Sequence, residues 1–265
     1  MIKDHFLKEI NIRSILKKGS KGFEVQKVQE WLNLRRYTDD NWDYTITVDG
    51  DFGEQTDKMI RLFQELNNLT VDGEVGPKTF HSLVKPMIQA FSRIDTVGDL
   101  RNLIVAYAEQ HLKSVPRELY NANRGPWVRA YMDGHEGKQW AWCMGFVQTI
   151  LDQAFFTLDQ SYTLIMPQTY SCDVAGEYGT NHNSLQAYSV IRAHLDLIKP
   201  GDVFLINKVP HDWIHTGIIT GLDDKMIHTI EGNTNDEGSR EGFEVCRRVR
   251  NLFTQQIDVY KVIQN

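Results

Sequence analysis

Four polar residues in the second half of the chain have the types and the order that catalysis by a cysteine nucleophile requires. Cys143 opens the apolar run CMGFVQTILDQAF, and His215 opens the run HTGIITGL. Glu231 and Asn233 close the segment KMIHTIEGN. Cysteine attacks as the thiolate, which a helix N-terminus and a nearby imidazolium both stabilise. A carboxylate or amide beside the imidazole fixes its tautomer. The pattern therefore indicates nucleophilic catalysis by a cysteine–histidine pair.

Each of these residues also has an ordinary structural explanation. A cysteine in an apolar helix is often only a buried thiol, a histidine can simply cap a strand, and a glutamate at a strand end can be solvated. His211 lies near enough in sequence to be the base instead, but the small residues after His215 suit a packed active site better. Cys172 and Cys246 lack comparable neighbours in the sequence, and we expect them to be buried without a chemical role.

A few helices and strands must position these residues. Apolar spacing predicts an amphipathic helix over 100–114 and a buried helix that begins at Cys143. Short strands are predicted downstream, in the segments GDVFLINK, HTGIITGL, KMIHTIEGN and QQIDVYKVI. Helices first and strands later are typical of an α+β domain with an antiparallel sheet.

The pairing of the second and third predicted strands decides whether the histidine meets its partner. These strands join near Asp223, and a turn with an odd number of residues would place His215 directly opposite Glu231. Glu231 and Asn233 lie two residues apart on one strand and should face the same side of the sheet. We expect Glu231 to orient the imidazole, with Asn233 supporting the site or polarising a bound carbonyl. The reverse assignment of these two roles stays open.

The first third of the chain contains a repeated ten-residue segment. TVDGDFGEQT runs from Thr47 to Thr56, and TVDGEVGPKT runs from Thr70 to Thr79. Each copy has an Asp-Gly pair, which favours a tight turn, and each precedes a helical pattern. With the helical segment GFEVQKVQEWLNL before them, the copies predict a three-helix unit with two matching turns. The acidic residues in the turns lack the spacing of a calcium-binding loop.

This region closely resembles the peptidoglycan-binding domain that is often attached to bacterial and phage cell-wall hydrolases. The likeness covers about residues 12–84 and includes both VDGxxG turns and the glutamines Gln29 and Gln64. It implies targeting to the peptide stems or glycan of the wall, without catalysis. Asp49 and Asp72, which have equivalent positions in the two turns, are the candidate ligand contacts of this module.

The rest of the chain, about residues 97–262, resembles the CHAP family, the cysteine, histidine-dependent amidohydrolases and peptidases. In that family a cysteine starts a helix, a histidine starts a strand, and a Glu-x-Asn pair follows, as Cys143, His215 and Glu231-x-Asn233 do here. The segments NRGPWVRAY, WAWCMGFV and IKPGDVFLI also match its pattern. The likeness implies a papain-like α+β domain that cleaves an amide bond of the wall peptide. The interval between the cysteine and the histidine is longer than is usual in that family. The extra residues are expected to change the shape of the substrate groove.

These patterns together predict a division into domains and a set of substrate contacts. We expect a wall-binding module at 1–85, a short connector at 86–96 and a hydrolase domain at 97–265. Trp142 and Trp213 flank the catalytic candidates and are expected to contact substrate in the cleft. Within the hypothesis of a wall hydrolase, a phage endolysin and a secreted antibacterial effector both fit. A catalytically inactive wall-binding protein and a metal-dependent amidase are the alternatives.

Composition disfavours several other classes of protein. The net charge of −6 and a pI near 5.8 argue against nucleic acid or an anionic membrane as the main partner. The N-terminus lacks the apolar core of a secretion signal, and no run of about 18 apolar residues could span a bilayer. Three cysteines without a C-x-x-C pair disfavour a disulfide framework or a structural zinc. We expect a monomer without a cofactor that is made in the cytoplasm and reaches the wall through a holin-type or secretion-system route.

Overall fold

Most helical residues lie in the first two thirds of the chain, and the strands of the described residues lie in the last third. The computed structural model describes residues 1–95, 98–235 and 242–263. Within them, the α-helices are α1 (Phe6–Glu9), α2 (Phe23–Leu34), α3 (Glu54–Leu66), α4 (Pro77–Leu83), α5 (Lys85–Ala90), α6 (Leu100–Lys113), α7 (Pro126–Tyr131), α8 (Cys143–Thr157), α9 (Cys172–Asn181) and α10 (Tyr188–Ala193). The strands are β1 (Leu185–Gln186), β2 (Val203–Val209), β3 (Asp212–Asp223), β4 (Met226–Thr234), β5 (Glu244–Asn251) and β6 (Ile257–Tyr260). The predicted α+β class is confirmed.

The repeated segment forms two turns, and each turn closes around a buried glutamine. In the first copy Gln29 from α2 accepts hydrogen bonds at its Oε1 from the backbone amides of Asp49 (3.1 Å) and Gly50 (2.8 Å). Its Nε2 donates to Oδ1 of Asp49 at 2.8 Å and to Oγ1 of Thr56 at 3.2 Å. Gly50 has a φ of +72°, a left-handed conformation that glycine adopts without strain. One side chain thus satisfies the polar groups of the whole turn.

The second copy has the same arrangement around Gln64 from α3. Its Oε1 accepts from the amide of Gly73 at 2.9 Å, and its Nε2 donates to Oδ1 of Asp72 at 2.7 Å and to the carbonyl of Glu74 at 2.9 Å. Gly73 also has a φ of +72°. The two turns therefore repeat because each must wrap a glutamine side chain that has no access to solvent.

The six strands form one antiparallel sheet in the order β1-β6-β2-β3-β4-β5. Strands β2, β3, β4 and β6 correspond to the four predicted ones. Strand β5 was not predicted because its segment, EVCRRVRN, is rich in arginine and lacks the apolar alternation of a half-buried strand. The chain returns from β5 at one edge to β6 next to β2, so β2, β3 and β4 lie in the interior of the sheet.

Helix α8 is the central element of the larger domain. Every residue of α8 except Phe156 is buried, as expected for a helix that is apolar on all sides. It packs between α6 and the strands β3 and β4. Because α8 cannot rotate or slide without disturbing contacts on every face, its first residue, Cys143, has a fixed position relative to the sheet.

The N-terminal residues and the larger domain share one hydrophobic core. One cluster of contacting buried side chains includes residues from Leu16 in the N-terminal part to Val262 near the end of the larger domain. Within it, the rings of Trp31 and Trp127 make an edge contact with centroids 5.9 Å apart. The predicted connector at 86–96 begins within a helix, α5, which packs against α6. The carbonyl of its last residue, Ala90, accepts hydrogen bonds from the Gln110 and Gln153 side chains.

A buried ionic cluster reinforces this contact. The Arg129 guanidinium on α7 donates to both oxygens of Glu9 at 3.0 and 2.8 Å and to both oxygens of Glu30 on α2 at 3.2 and 2.6 Å. Glu136 accepts a further bond at 3.0 Å. Planar guanidinium groups suit such two-point pairing with carboxylates. The cluster links the N-terminal segment, α2 and α7 through charges that water does not reach.

We expect Arg129→Ala to lower the free energy of unfolding by about 3–5 kcal/mol, since it leaves buried carboxylates without their cation. Chemical denaturation followed by tryptophan fluorescence measures this. The matched control is Arg247→Ala, which removes a surface pair with Glu109 and should shift the midpoint little. Equal, small shifts in both variants would show that the buried cluster does not hold the two parts together.

Candidate active site

Cys143 is the first residue of α8, as predicted, and its side chain is buried with 5% exposure. The preceding residue, Trp142, makes no side-chain cap for the helix, so the amides of the first turn remain oriented toward the thiol region. The positive end of the helix dipole favours the thiolate at this position.

His215 lies inside strand β3 rather than at its start. The strand begins at Asp212, so the prediction of a strand-initial histidine was wrong by three residues. The imidazole is 1% exposed, and its Nε2 is 2.8 Å from Oε2 of Glu231. Its Nδ1 is buried and forms no hydrogen bond with the described residues. The contact with the Cys143 thiol lacks hydrogen-bond geometry, yet the two groups are close enough to shift each other's pKa.

The predicted register of β3 and β4 was wrong, although the predicted contact is present. The strands pair Asp223 with Met226, which leaves a two-residue turn, and after a register shift they pair Ile218 with Ile230. Continued by one residue, this register places Gly217, not His215, opposite Glu231. A Cβ atom at position 217 would lie 2.7 Å from Cγ of Glu231. The Glu231 side chain therefore passes over Gly217, which has no side chain, and contacts His215, which lies two residues earlier in β3.

Glu231 has two further partners that sequence reasoning did not identify. Arg250 on β5 donates from Nε to Oε1 at 2.6 Å and from Nη2 to Oε2 at 2.5 Å, and the Thr229 hydroxyl donates to Oε1 at 2.5 Å. Burial alone would raise the pKa of Glu231, but Arg250 and His215 lower it to about 2. Arg250 was missed because β5 was missed, and the only available signal was an arginine in a basic run.

Asn233 is buried near the end of β4 in a left-handed conformation, with a φ of +56°. The register of β4 against β5 shifts between Glu231 and Thr234. Regular alternation is interrupted here, so the expectation that Glu231 and Asn233 share a face does not follow from their spacing. The Oδ1 of Asn233 has no hydrogen-bond partner among the described residues. A buried amide acceptor without a partner is costly, which is typical of a functional position.

The electrostatics of the site favour a thiolate–imidazolium pair. The Cys172 thiol, the His215 imidazole and the Met144 amide together hold the pKa of Cys143 well below its usual range, against the effect of burial. Burial also opposes charge on His215, but the Cys143 thiolate and the Glu231 carboxylate raise its pKa to about 9. Both shifts favour the charged state of each group. This is the state in which a cysteine acts as a nucleophile and its histidine as a proton donor.

Cys172 is a neighbour of Cys143, contrary to the expectation from sequence. It begins helix α9, and its Sγ lies 3.9 Å from Sγ of Cys143. The two thiols are 29 residues apart in the chain, so only the packing of α9 beside β3 brings them together. Cys246 lies on β5, paired with Glu231 in the register of the sheet.

The four residues predicted to contact substrate all have structural partners. Trp142 is fully buried, stacks on Tyr131 and donates from Nε1 to Glu118. Trp213 is 5% exposed and donates from Nε1 to Asp258 at 2.7 Å.

Asp49 and Asp72 lie at the surface, each bonded to the glutamine of its own turn. The tryptophan rings therefore pack in the core, and the two aspartates maintain the turns.

In the ranges 1–95, 98–235 and 242–263, no three His, Cys, Asp or Glu side chains converge as a metal site would require. None of the helices in those ranges is long and apolar enough to cross a membrane.

Comparison with known proteins identifies the first part of the chain. Residues 21–83 match the family model described as a putative peptidoglycan binding domain, which confirms the predicted wall-binding module. The match covers about a quarter of the chain and ends well before Cys143. No curated protein and no solved structure matches the chain.

We expect Gly217→Ala to disrupt the pairing of Glu231 with His215. The new methyl group would lie 2.7 Å from Cγ of Glu231 and 2.8 Å from the ring of Phe204, so stability should fall by about 1–3 kcal/mol. The matched control is Gly221→Ala in the same strand, where the nearest atoms of His228 are 3.8 Å away. Thermal unfolding measures both variants. If they unfold at the same temperature, the glutamate does not depend on the bare backbone at position 217.

Proposed function

We propose that this protein is a peptidoglycan hydrolase that cleaves an amide bond of the cell-wall peptide with Cys143 as nucleophile. The observation that carries the proposal is a buried series of hydrogen bonds from Arg250 to Glu231 and from Glu231 to His215. The remaining ring nitrogen of His215, Nδ1, has no hydrogen-bond partner among the described residues and is available to the Cys143 thiol. The match of residues 21–83 to a putative peptidoglycan binding domain supports peptidoglycan as the substrate.

The proposed reaction begins with the thiolate of Cys143, whose proton resides on His215. The sulfur attacks the amide carbonyl, and the oxyanion is stabilised by backbone amides at the start of α8, including that of Cys143 itself. His215 then donates its proton to the leaving amine as the C–N bond breaks. Water attacks the acyl-enzyme with His215 as base, which releases the acid and restores the thiolate.

Glu231 and Arg250 support this cycle without contact with the substrate. The Glu231 carboxylate holds Nε2 of His215, which directs Nδ1 toward the sulfur and stabilises the imidazolium. Arg250 and Thr229 fix both carboxylate oxygens, so that the glutamate has one orientation. In this arrangement Glu231 is the orienting residue, and the unpaired Oδ1 of Asn233 is available to a donor on the substrate.

A surface pocket supports wall binding at the second turn of the repeat. It has a volume of about 410 Å³ and is lined mainly by Ile15, Leu69, Asp72, Pro77 and Lys78. The lining combines apolar side chains with the charged groups of Asp72, Glu74 and Lys78, so it offers contacts to both the methyl groups and the charged groups of a peptide stem. We propose this pocket as the place where the module holds its ligand.

The test of the proposed function is Cys143→Ala in the full chain. We expect this variant to lose hydrolysis of purified peptidoglycan by on the order of a thousand-fold or more, while still sedimenting with insoluble wall material. Cys246→Ala is the control thiol and should retain activity. Mass spectrometry of the released fragments identifies the bond that is cut. Hydrolysis by Cys143→Ala near the wild-type rate would refute a cysteine mechanism.

The pH dependence of hydrolysis follows from the pKa of His215. The imidazolium is lost as the pH rises through about 9, so the rate should decline there. Glu231→Gln keeps the shape of the side chain but removes the charge that stabilises the imidazolium, so the pKa of His215 should fall. An NMR titration of the histidine ring measures it directly, with Glu109→Gln at the surface as control. The orienting role of Glu231 would be refuted by a His215 titration that is identical in Glu231→Gln and wild type.

A further inference from the structure

The two thiols at the start of α8 and α9 are placed for a reaction with each other. Their sulfurs are 3.9 Å apart, and the side chains of Cys143 and Cys172 are 5% and 8% exposed. None of the three cysteines forms a disulfide. A disulfide has an S–S distance of about 2.05 Å, so the two sulfurs need to approach by a little less than 2 Å. Each thiol is on the first residue of its helix.

The environment of this pair makes one of the two sulfurs reactive toward oxidants. Cys143 has a lowered pKa, and thiolates react with peroxides far faster than thiols do. The product of that reaction is a sulfenic acid, which condenses with a neighbouring thiol when one lies within reach. Cys172 is such a thiol. Cys246 is on β5 at the position paired with Glu231.

We propose that Cys172 is a resolving cysteine that forms a reversible disulfide with Cys143 when a hydroperoxide oxidises the nucleophile. The Cys143 thiolate attacks the terminal O–H oxygen of the hydroperoxide, the O–O bond breaks, and the other oxygen leaves as alkoxide, or as hydroxide from hydrogen peroxide, which gives the sulfenic acid. The Cys172 sulfur then attacks the Cys143 sulfur, an S–S bond forms, and the sulfenic oxygen leaves as water with the Cys172 proton. The two thiols lose two electrons in total, and the peroxide is reduced.

This bond has a chemical consequence for the site. Cys143 in a disulfide can neither attack a carbonyl nor be oxidised further to the sulfinic acid, which thiol reductants do not reverse. A dithiol reductant restores both thiols by exchange. The pair thus inactivates the protein reversibly under oxidising conditions and preserves its nucleophile. The effect on activity rests on the proposed function, whereas formation of the bond does not.

The experiment uses the full chain as wild type, Cys172→Ser and Cys246→Ser. Each protein is treated with hydrogen peroxide, digested without reduction and analysed by mass spectrometry. Wild type and Cys246→Ser should yield the peptide of Cys143 joined to that of Cys172, two hydrogens lighter than the separate peptides. Cys172→Ser should yield no joined peptide and should accumulate the sulfinic acid at Cys143.

Activity on peptidoglycan is measured on the same samples, each relative to its own untreated rate. Peroxide should reduce activity at least ten-fold in all three proteins. Dithiothreitol should restore most of it in wild type and Cys246→Ser but not in Cys172→Ser. The proposal is overturned if peroxide-treated wild type carries sulfinic acid without the joined peptide, or if Cys172→Ser recovers as fully as wild type. A joined peptide in a protein that never hydrolyses peptidoglycan would instead refute the proposed function alone.

Discussion

The buried carboxylate of Glu231 is the interaction on which the candidate site depends. Removing a carboxylate from water costs several kcal/mol, and the cost is offset only if cations and hydrogen-bond donors meet both oxygens. Arg250 supplies a two-point contact from β5, and His215 supplies the second charged partner from β3. Three neighbouring strands must therefore pair correctly for one side chain to be tolerated. The same carboxylate favours the imidazolium form of the buried His215.

The nucleophile depends on the same sheet through helix α8. Since α8 packs on β3 and β4, the contacts that fix the strands also fix the distance between the Cys143 sulfur and the imidazole. The close packing that excludes water also brings α9 against β3 and so brings Cys172 to the nucleophile. One arrangement of buried groups thus lowers the pKa of the Cys143 thiol and gives it a second thiol as neighbour.

The wall-binding module is attached to this domain by a core rather than by a flexible chain. Arg129 joins Glu9 and Glu30 in the interior, and apolar residues from both parts form one cluster. A flexible tether raises the local concentration of an enzyme near its substrate but leaves their orientation free. A shared core instead fixes the direction of the binding pocket relative to Cys143. Under the proposed function, a wall strand held by the module would meet the nucleophile in one orientation.

The amino-acid sequence by itself determined the elements and the chemistry that they could support. The period of the apolar residues located α2, α3, α4, α6 and α8, because a helix that packs on a core must be apolar on one face or on all of them. The repeated VDGxxG segment identified the wall-binding module, and the residue types around Cys143 and His215 indicated nucleophilic catalysis. The helices and the turns could be predicted because local propensity and turn chemistry are properties of short segments, whereas nucleophilic catalysis stays a prediction.

Only the tertiary structure decided how those elements meet. The register that sets Gly217 under Glu231 depends on a two-residue turn and a bulge, and a shift of one residue reverses every side chain. Arg250 could not be predicted because its partner lies on another strand, and the sequence around an arginine alone predicts a surface residue. Cys172 came to Cys143 through the packing of α9, and Arg129 met Glu30 across 99 residues of chain. Contacts between distant segments depend on how buried charges are paired and how side chains pack across the whole fold. The sequence of a single segment does not contain that information.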